Sequence, residues 1–468
     1  MKKIFTILVA ALLVSVATAQ TWSTVGKGLT KNGRVESFCE YKGELYVGGN
    51  FDSIAGIRAM SIARWNGSTW DSVPGMYPMS RYLSSRPEVE IWAMTVYNGE
   101  LIAAGTLWQN GNKWVNIAKW NGTTWSQLGN GVDNKIFAME TYKGKLFVTG
   151  YFNNAGSVAA KGIASWNGAA WETVGGSGLT SGGSSGNDFR IYKGELYFTG
   201  SFNSINGLPV HCIAKWNGTV WDSVGIIRYN NTFRSLEVYD NKLYAGGAAN
   251  LIGHPSILWI AGWDNITWDS VGPGLNGTPT VMSVYNNELY AAGDFDSAGT
   301  NQTLCMARWD GMQWKTVGSG LDLFHINVNK TVIGKDTFIS PREHINSMYT
   351  YKDELYVGGF FTMIGGIKTN SIAKWHIPDT SVSVNELKNE STFSISPNPF
   401  SETTTLNSEH ALHNARLVIY NLLGQEIRKL NNLTGQHFAI DRGEIKSGIY
   451  FITVSDGEKL WTEKLVVE

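Results

Sequence analysis

Cysteine is scarce, with three in 468 residues. Cys212 and Cys305 each precede a repeated Trp by four residues, and Cys39 lies in another part of the repeat described below. In that plan no two come within disulfide range, so they are expected to be small buried side chains. Nor do they have the ligand spacing of a metal site. Charged residues make up 16% and the net charge is −1, which argues for neither a nucleic acid nor an anionic membrane as partner. Beyond the N-terminal segment no apolar run approaches the roughly 18 residues of a spanning helix. Helical periodicity is missing, so no nucleophile elbow has its strand–helix context. There is no His-Glu-x-x-His, no EF-hand loop and no Ser-x-Asp-x-Gly-x-x-Trp box. No cofactor and no metal are expected.

Tryptophan and glycine are abundant, at 19 and 53, and they recur. A Trp-Asn/Asp-Gly element centres on Trp65, Trp120, Trp166, Trp216 and Trp309, with weaker copies at Trp263 and Trp375. A second element, Trp-x-x-Val/Leu-Gly, starts at Trp22, Trp125, Trp171, Trp221, Trp268 and Trp314, with a variant at Trp70. A third, Tyr-turn-Glu/Lys-Leu-Tyr/Phe-x-x-Gly, centres on Leu45, Leu101, Leu146, Leu196, Leu243, Leu289 and Leu355. Each occurs seven times.

Every unit reads as four strands, a to d, at residues 35–40, 44–49, 60–65 and 69–73 in the first copy. Lys42-Gly43 and Asn66-Gly67 supply the positive φ that tight hairpins need. Four strands per roughly 45 residues, marked by aromatics and Gly, is the signature of a β-propeller. The first piece after the N-terminal segment is a lone strand d, and the last unit lacks one. The predicted fold is therefore all-β: a seven-bladed β-propeller closed by the N-terminal strand, plus a small C-terminal antiparallel β-sandwich. The strand-c Trp residues are expected between blades.

The predicted divisions are a signal peptide at 1–19, the propeller at 20–376, a linker at 377–391 and the C-terminal module at 392–468. Lys2 and Lys3, an apolar run over 4–16 and Ala17-Thr18-Ala19 make the signal peptide.

The module carries Ser396-Pro397-Asn398-Pro399, then Val418-Ile419-Tyr420-Asn421-Leu422-Leu423-Gly424-Gln425, then Ser447-Gly448-Ile449-Tyr450-Phe451-Ile452, and ends Glu463-Lys464-Leu465-Val466-Val467. In these residues it resembles the type A C-terminal sorting domain of type IX secretion cargo in Bacteroidota. That resemblance implies Sec export, passage across the outer membrane by the type IX machinery, and removal of the module. It often implies attachment to surface lipopolysaccharide. Pro397, Asn398, Pro399, Gly424, Gly448, Tyr450 and Lys464 would carry the sorting signal. The alternative is an accessory sandwich domain. The repeats, with Gly48-Gly49, Gly246-Gly247 and Gly358-Gly359 ending strand b, resemble kelch-type blades and, more closely, Rax2-like cell-surface repeats of fungi. Neither resemblance implies a molecular function.

The a–b and c–d turns should share one face, and the longer b–c and d–a loops the other. Extra length falls in d–a loops, at 74–88, 175–187 and 319–343. Long loops on a rigid frame commonly carry binding residues. The candidates on the b–c/d–a face are Tyr77, Arg81, Tyr82, Arg86, Trp108, His254, His325, Arg342 and His344, suited to glycan or protein contact. The alternative, the commoner case for any one such residue, is a solvated loop side chain packed against its neighbours. Asp322, Asp336 and Glu343 are candidate paired carboxylates, or simply solvated acids. Phe-Asp marks such as Asn50-Phe51-Asp52 read as turns, and so do the Asn-x-Ser/Thr triplets of the c–d hairpins. The expected function is a secreted or cell-surface binding or adhesion protein, with a hydrolase or lyase acting on polysaccharide as the alternative. Converging carboxylates or His in an axial pocket would favour the enzyme.

Overall fold

The computed structural model describes residues 21–30, 33–74, 89–109, 113–114, 116–180, 185–225, 232–248, 259–321, 329–333, 336–340, 343–377, 393–421, 425–456 and 459–468. The predicted signal peptide and nearly all of the predicted linker lie outside them. The chain divides into two compact units, at 1–378 and 379–468.

The first unit is a propeller-like all-β fold. Among the described residues it holds seven four-stranded antiparallel sheets. Sheet one runs Arg34–Tyr41, Glu44–Asn50, Ile62–Trp65 and Trp70–Ser72. The first strands of sheets two to seven are Glu90–Tyr97, Lys135–Tyr142, Ser185–Tyr192, Thr232–Tyr239, Thr278–Tyr285 and His344–Tyr351. Sheet seven takes its outermost strand, Thr21–Thr24, from the start of the chain, with Trp22 opposite Trp375. Each first strand packs against that of the next sheet, and His344–Tyr351 packs against Arg34–Tyr41. The succession of contacts thus returns to its start.

Aromatic side chains join the sheets. The third- and fourth-strand Trp residues face each other in every sheet, with ring centroids 5.0 Å apart for Trp22–Trp375 and 5.4 Å for Trp309–Trp314. Burying such rings on both partners is worth several kcal/mol per pair by area alone, about 1.5–3 kcal/mol per large side chain. Five of the fourth-strand indoles donate to the Val that ends the fourth strand of the preceding sheet. Trp268 bonds the Val224 carbonyl at 3.0 Å, Trp70 that of Val25 at 3.0 Å, and Trp22 that of Val317 at 3.3 Å. At the far end of the first strands, Tyr142 Oη donates to Gly194 O at 2.9 Å and Tyr351 Oη to Gly43 O at 2.7 Å. Lys42 Nζ reaches Asn121 O in the next sheet's c–d turn at 3.0 Å. The a–b and c–d turns therefore share one face. On the other, Leu29 and Leu179 of the d–a connections bridge to Ile54 and Ile205 of the b–c connections.

Two local features differ from expectation. The b–c connections contain two-stranded ribbons, such as Ser53–Ile54 with Ile57–Arg58. The third strand starts at Ile62 rather than at residue 60, because Met60 and Ser61 have φ of 43° and 74°. The position four residues before each third-strand Trp is left-handed in all seven sheets: Ser61, Asn116, Gly162, Cys212, Trp259, Cys305 and Ser371. Cys212, Cys305 and Cys39 are buried and outside any disulfide, but the first two occupy a turn position, not an ordinary strand site.

In the second unit, the long strand Thr403–Asn421 pairs with Phe393–Ser396, with Glu426–Asp441 and with Gly448–Asp456, and Lys459–Val467 lies on the outer edge. Leu417, Ile419, Ile452, Leu465 and Ile440 fill its core. Asn398 seals the edge strand. Its Nδ2 donates to Lys464 O at 2.7 Å and its Oδ1 accepts from Val466 N–H at 2.8 Å, so one side chain stands in for a neighbouring strand's backbone. Thr404 Oγ1 donates to Pro397 O at 2.6 Å, and Tyr450 Oη to Lys446 O at 2.8 Å. Gly424 lies outside the described residues.

Candidate functional site

All seven first strands carry a β-bulge at their second or third residue. The register skips Glu36, Trp92, Phe137, Asn187, Arg234, Thr280 and Asn346. A bulge leaves one residue unpaired and re-aims its side chain. Here neighbouring bulges meet around the axis. Glu36 bonds Asn346, and Trp92 lies 5.7 Å from Phe137, edge to face. Asn187 Nδ2 donates to Phe233 O at 2.8 Å, and Thr280 Oγ1 to Ile345 O at 3.3 Å. These positions form a mouth where the first strands begin, on the b–c/d–a face.

The repeated glycine of the second strand permits the bulge. A Cβ on Gly49 would lie 2.1 Å from Arg34 O, and on Gly105 it would lie 1.9 Å from Glu90 O. Gly150, Gly200, Gly247, Gly293 and Gly359 meet the corresponding carbonyl of their own sheet at 2.1–2.3 Å.

Arg34 organises one side of the mouth. Its Nε lies 2.6 Å from Glu36 Oε1, and its guanidinium also donates to Glu90 Oε1. The carboxylates are recessed, with side chains 9% and 12% exposed, while Arg34 is 39% exposed. Burial pushes the Glu36 carboxyl up to about 7, against the opposing pull of Arg34. Arg34 and Lys135 both lie over the Trp92 ring, 5.6 Å and 5.1 Å from its centroid. The Trp92 indole N–H is buried without a partner.

Deeper along the same strands is a polar waist. Arg190 Nη2 pairs with Glu237 Oε2 at 3.0 Å and donates to Leu236 O at 3.1 Å. Asp188 accepts from Phe189 N–H and Leu236 N–H, each at 2.8 Å. Glu237 Oε1 accepts from Val238 N–H and Glu140 Oε1 from Thr141 N–H, both at 2.9 Å. Burial raises the pKa of Asp188, Glu237 and Glu140, with Arg190 opposing it in each case. Arg190 nevertheless keeps 34% of its side-chain exposure. At the opposite, turn-bearing end, a cavity of about 450 Å³ is lined by Glu40, Tyr41, Lys42, Val96, Gly99 and Tyr349.

Of the residues expected from sequence, His344 opens the first strand of sheet seven in the register of Arg34, its ring 6.2 Å from Phe360. Trp108 belongs to a b–c ribbon, Trp108–Gln109 with Lys113–Trp114. Tyr77, Arg81, Tyr82, Arg86, His254, His325 and Arg342 lie outside the described residues, as does Asp322. Glu343 is no solvated loop acid. It is buried, and its Oε1 accepts from Thr362 N–H at 3.1 Å and Thr362 Oγ1 at 2.7 Å. The mouth and waist escaped sequence reasoning. The available signal was charge on otherwise apolar first strands, at Glu36, Glu140, Asp188, Arg190 and Glu237. Among the described residues, no group of three or more His, Cys, Asp or Glu is placed to hold a metal ion.

Residues 394–468 match the family of secretion system C-terminal sorting domains. This domain marks proteins exported by type IX secretion, and the chain is accordingly directed to the extracellular space or the cell surface. Engagement of the type IX machinery follows from the same domain. No curated protein matches the chain. Among solved structures it is similar to a protein of unknown function from Bacteroides thetaiotaomicron, at 11% identity and TM-score 0.35, covering 74% of this chain and 98% of that one. It is also similar to the acylaminoacyl peptidase of Pyrococcus horikoshii, at 10% identity and TM-score 0.38, covering 84% and 60%. A third is the Trypanosoma rangeli sialidase in complex with the inhibitor DANA, at 9% identity and TM-score 0.32, covering 92% and 84%. Likenesses this distant carry no argument about function. Among the described residues no helix is long and apolar enough to cross a membrane.

Proposed function

We propose that this is a secreted or cell-surface binding protein: a closed seven-bladed propeller of kelch-like type that takes a glycan or protein ligand at its axial mouth. In this reading residues 1–19 are a signal peptide, 20–376 the propeller, 377–391 a linker and 392–468 a sorting β-sandwich. Closure is supported by Trp22 opposite Trp375 and by the Tyr351–Gly43 bond. The observation that carries the binding role is the set of seven bulges, which brings seven different side chains to one opening. A merely structural ring has no need of a varied, partly polar mouth on the face where the long connections emerge. Glycan-array and surface-protein binding with Thr280→Trp, which narrows the opening, is the test. Loss of binding in a variant that melts like the parent supports the mouth, and unchanged binding overturns it.

A second reading, a hydrolase or lyase acting on polysaccharide, is favoured by the two carboxylates flanking Arg34. A carboxyl that burial raises to about 7, as at Glu36, suits a general acid. Against it, Glu36 and Glu90 are recessed behind Arg34, and the waist carboxylates already hold backbone N–H groups. Polysaccharide turnover abolished by Glu90→Gln would establish this reading in place of the first.

A further inference from the structure

The first halves of the seven first strands carry three basic side chains, Arg34, Lys135 and Arg234, and three acids, Glu36, Glu90 and Asp188; Arg234 is exposed and the others are half-buried. Asp188 is held by the Phe189 and Leu236 N–H groups. The carboxylates at the same level, Glu36 and Glu90, are turned inward onto Arg34. They serve to hold the guanidinium in place, while its face rests on Trp92 with Lys135 over the same ring. No carboxylate among the described residues pairs with Arg234, which is exposed. Asp294, on the second strand of sheet six opposite Thr278, and Asp133, two residues before Lys135, are exposed acids near this rim. The cations stand on sheets one, three and five, spread around the opening rather than gathered on one side.

Accepting that the mouth is the binding site, we infer that its ligand is an acidic glycan, a sugar chain bearing several carboxylate or sulfate groups. Three cations distributed around one opening match a ligand with several separated anionic groups better than a single anion. Low-dielectric walls around the opening concentrate their field. Glu36 and Glu90 take the Nε and Nη2 of Arg34, which leaves Nη1 for a charge-assisted bond to a carboxylate or sulfate. Asn187, Asn346 and Thr280 are held by Phe233 O, Glu36 and Ile345 O, and their remaining hydrogen-bonding positions suit sugar hydroxyls. The export domain places this mouth outside the cell, where carboxylated and sulfated polysaccharides are abundant polyanions.

The test uses the full chain and four ligands: oligogalacturonate, a sulfated galactan oligosaccharide, neutral cello-oligosaccharide and polyglutamate. Binding is measured by calorimetry at about 50 and 500 mM salt, for the parent, Arg234→Glu, Lys135→Glu and Thr280→Trp, each checked by thermal melting. The expectation is binding of one or both acidic sugars, weakened at least about tenfold by high salt and by Arg234→Glu, with no binding of the neutral sugar. Arg234→Gln, which removes the charge without reversing it, should show an intermediate loss. Equal binding of neutral and acidic sugars, or acidic-sugar binding indifferent to both charge reversals, overturns the inference. Binding of polyglutamate alone also overturns it, in favour of an acidic peptide. In these cases, loss of binding in Thr280→Trp shows that the mouth still holds the ligand and only the charge preference has failed. Binding unaffected by Thr280→Trp, or no binding at all, sinks the mouth as well.

Discussion

The carbonyl oxygen of Arg34 occupies the space that a Cβ on Gly49 would need, 2.1 Å away. The same collision recurs in all seven sheets, always between the second-strand glycine and the residue just before the bulge pair. The repeated glycine thus supports the bulge, and the bulge sets the mouth.

Adding that Cβ should therefore be costly. Gly200→Ala would put it 2.2 Å from Ser185 O, a backbone atom that cannot swing away. The expected loss is at least about 1–3 kcal/mol, the range for overpacking. Gly262→Ala is the control, since its nearest neighbour is the edge of Tyr244 at 3.6 Å. Chemical denaturation of both variants checks this, and equal stability would contradict the steric role of the glycine.

Closure can be tested at Trp22. Its indole packs at a tilt against Trp375, centroids 5.0 Å apart, and donates to Val317 O, as Trp268 does with Trp263 and Val224. Trp22→Ala and Trp268→Ala should each cost about 3–5 kcal/mol, the range for Trp truncation in a core. A Trp22 variant that melts like the parent would show that the N-terminal strand does not bear on the ring's stability.

Burial holds the folded-state pKa of Glu36 near 7, above its ordinary 4.5. A carboxyl raised on folding binds its proton more tightly in the native state. Its contribution is fully present below about pH 4.5 and is lost as pH rises through about 7. Stability should accordingly fall from pH 5 to pH 8, with Glu140, Asp188 and Glu237 acting in the same direction. Glu36→Gln should remove part of that slope, up to about 3 kcal/mol. Melting temperatures of parent and variant across this range decide it, and parallel curves would refute the assignment.

Asn398 should matter for the sorting module beyond its place in a motif. Asn398→Asp keeps the acceptor for Val466 N–H and loses the donor to Lys464 O. Faster amide exchange is expected over residues 459–468, with a smaller secreted fraction in a host that has the type IX machinery. Unchanged exchange would show that the edge is held by Phe400 alone, whose N–H donates to Val466 O at 3.1 Å.

The thiols of Cys39 and Cys305 are buried, and burial pushes each up to about 12. Neither should react with a thiol reagent at pH 8 until the chain unfolds. Rapid labelling of the native protein would place them elsewhere.

The Trp and Gly marks were legible because each answers a local demand that recurs in every unit. Asn66 shows this in one turn, where its Oδ1 accepts from Ser68 N–H and Thr69 N–H at 2.8 and 2.9 Å. The mouth was not legible for the opposite reason. Glu36, Trp92, Phe137, Asn187, Arg234, Thr280 and Asn346 share a position, yet only Asn occurs twice among them. Only the register identifies them as equivalent, and a reading guided by loop length looked past them to segments such as 74–88. His344 was singled out for its place at the end of a long loop. What puts it at the rim is its register with Arg34.

By itself the sequence determined the strands, their hairpins, the sevenfold count of marks and the export route. Those follow from hydrogen-bonding and backbone preferences between residues close in the chain, and from a contiguous C-terminal module. Which side chains of neighbouring sheets meet around the axis was decided by tertiary structure alone. Glu36 meets Asn346, and Tyr351 meets Gly43, only because the last sheet returns to the first. Glu36 and Glu90 turn onto Arg34, and the bulge leaves Arg234 exposed. Burial and pairing, not residue count, set which charges of the opening a ligand can reach.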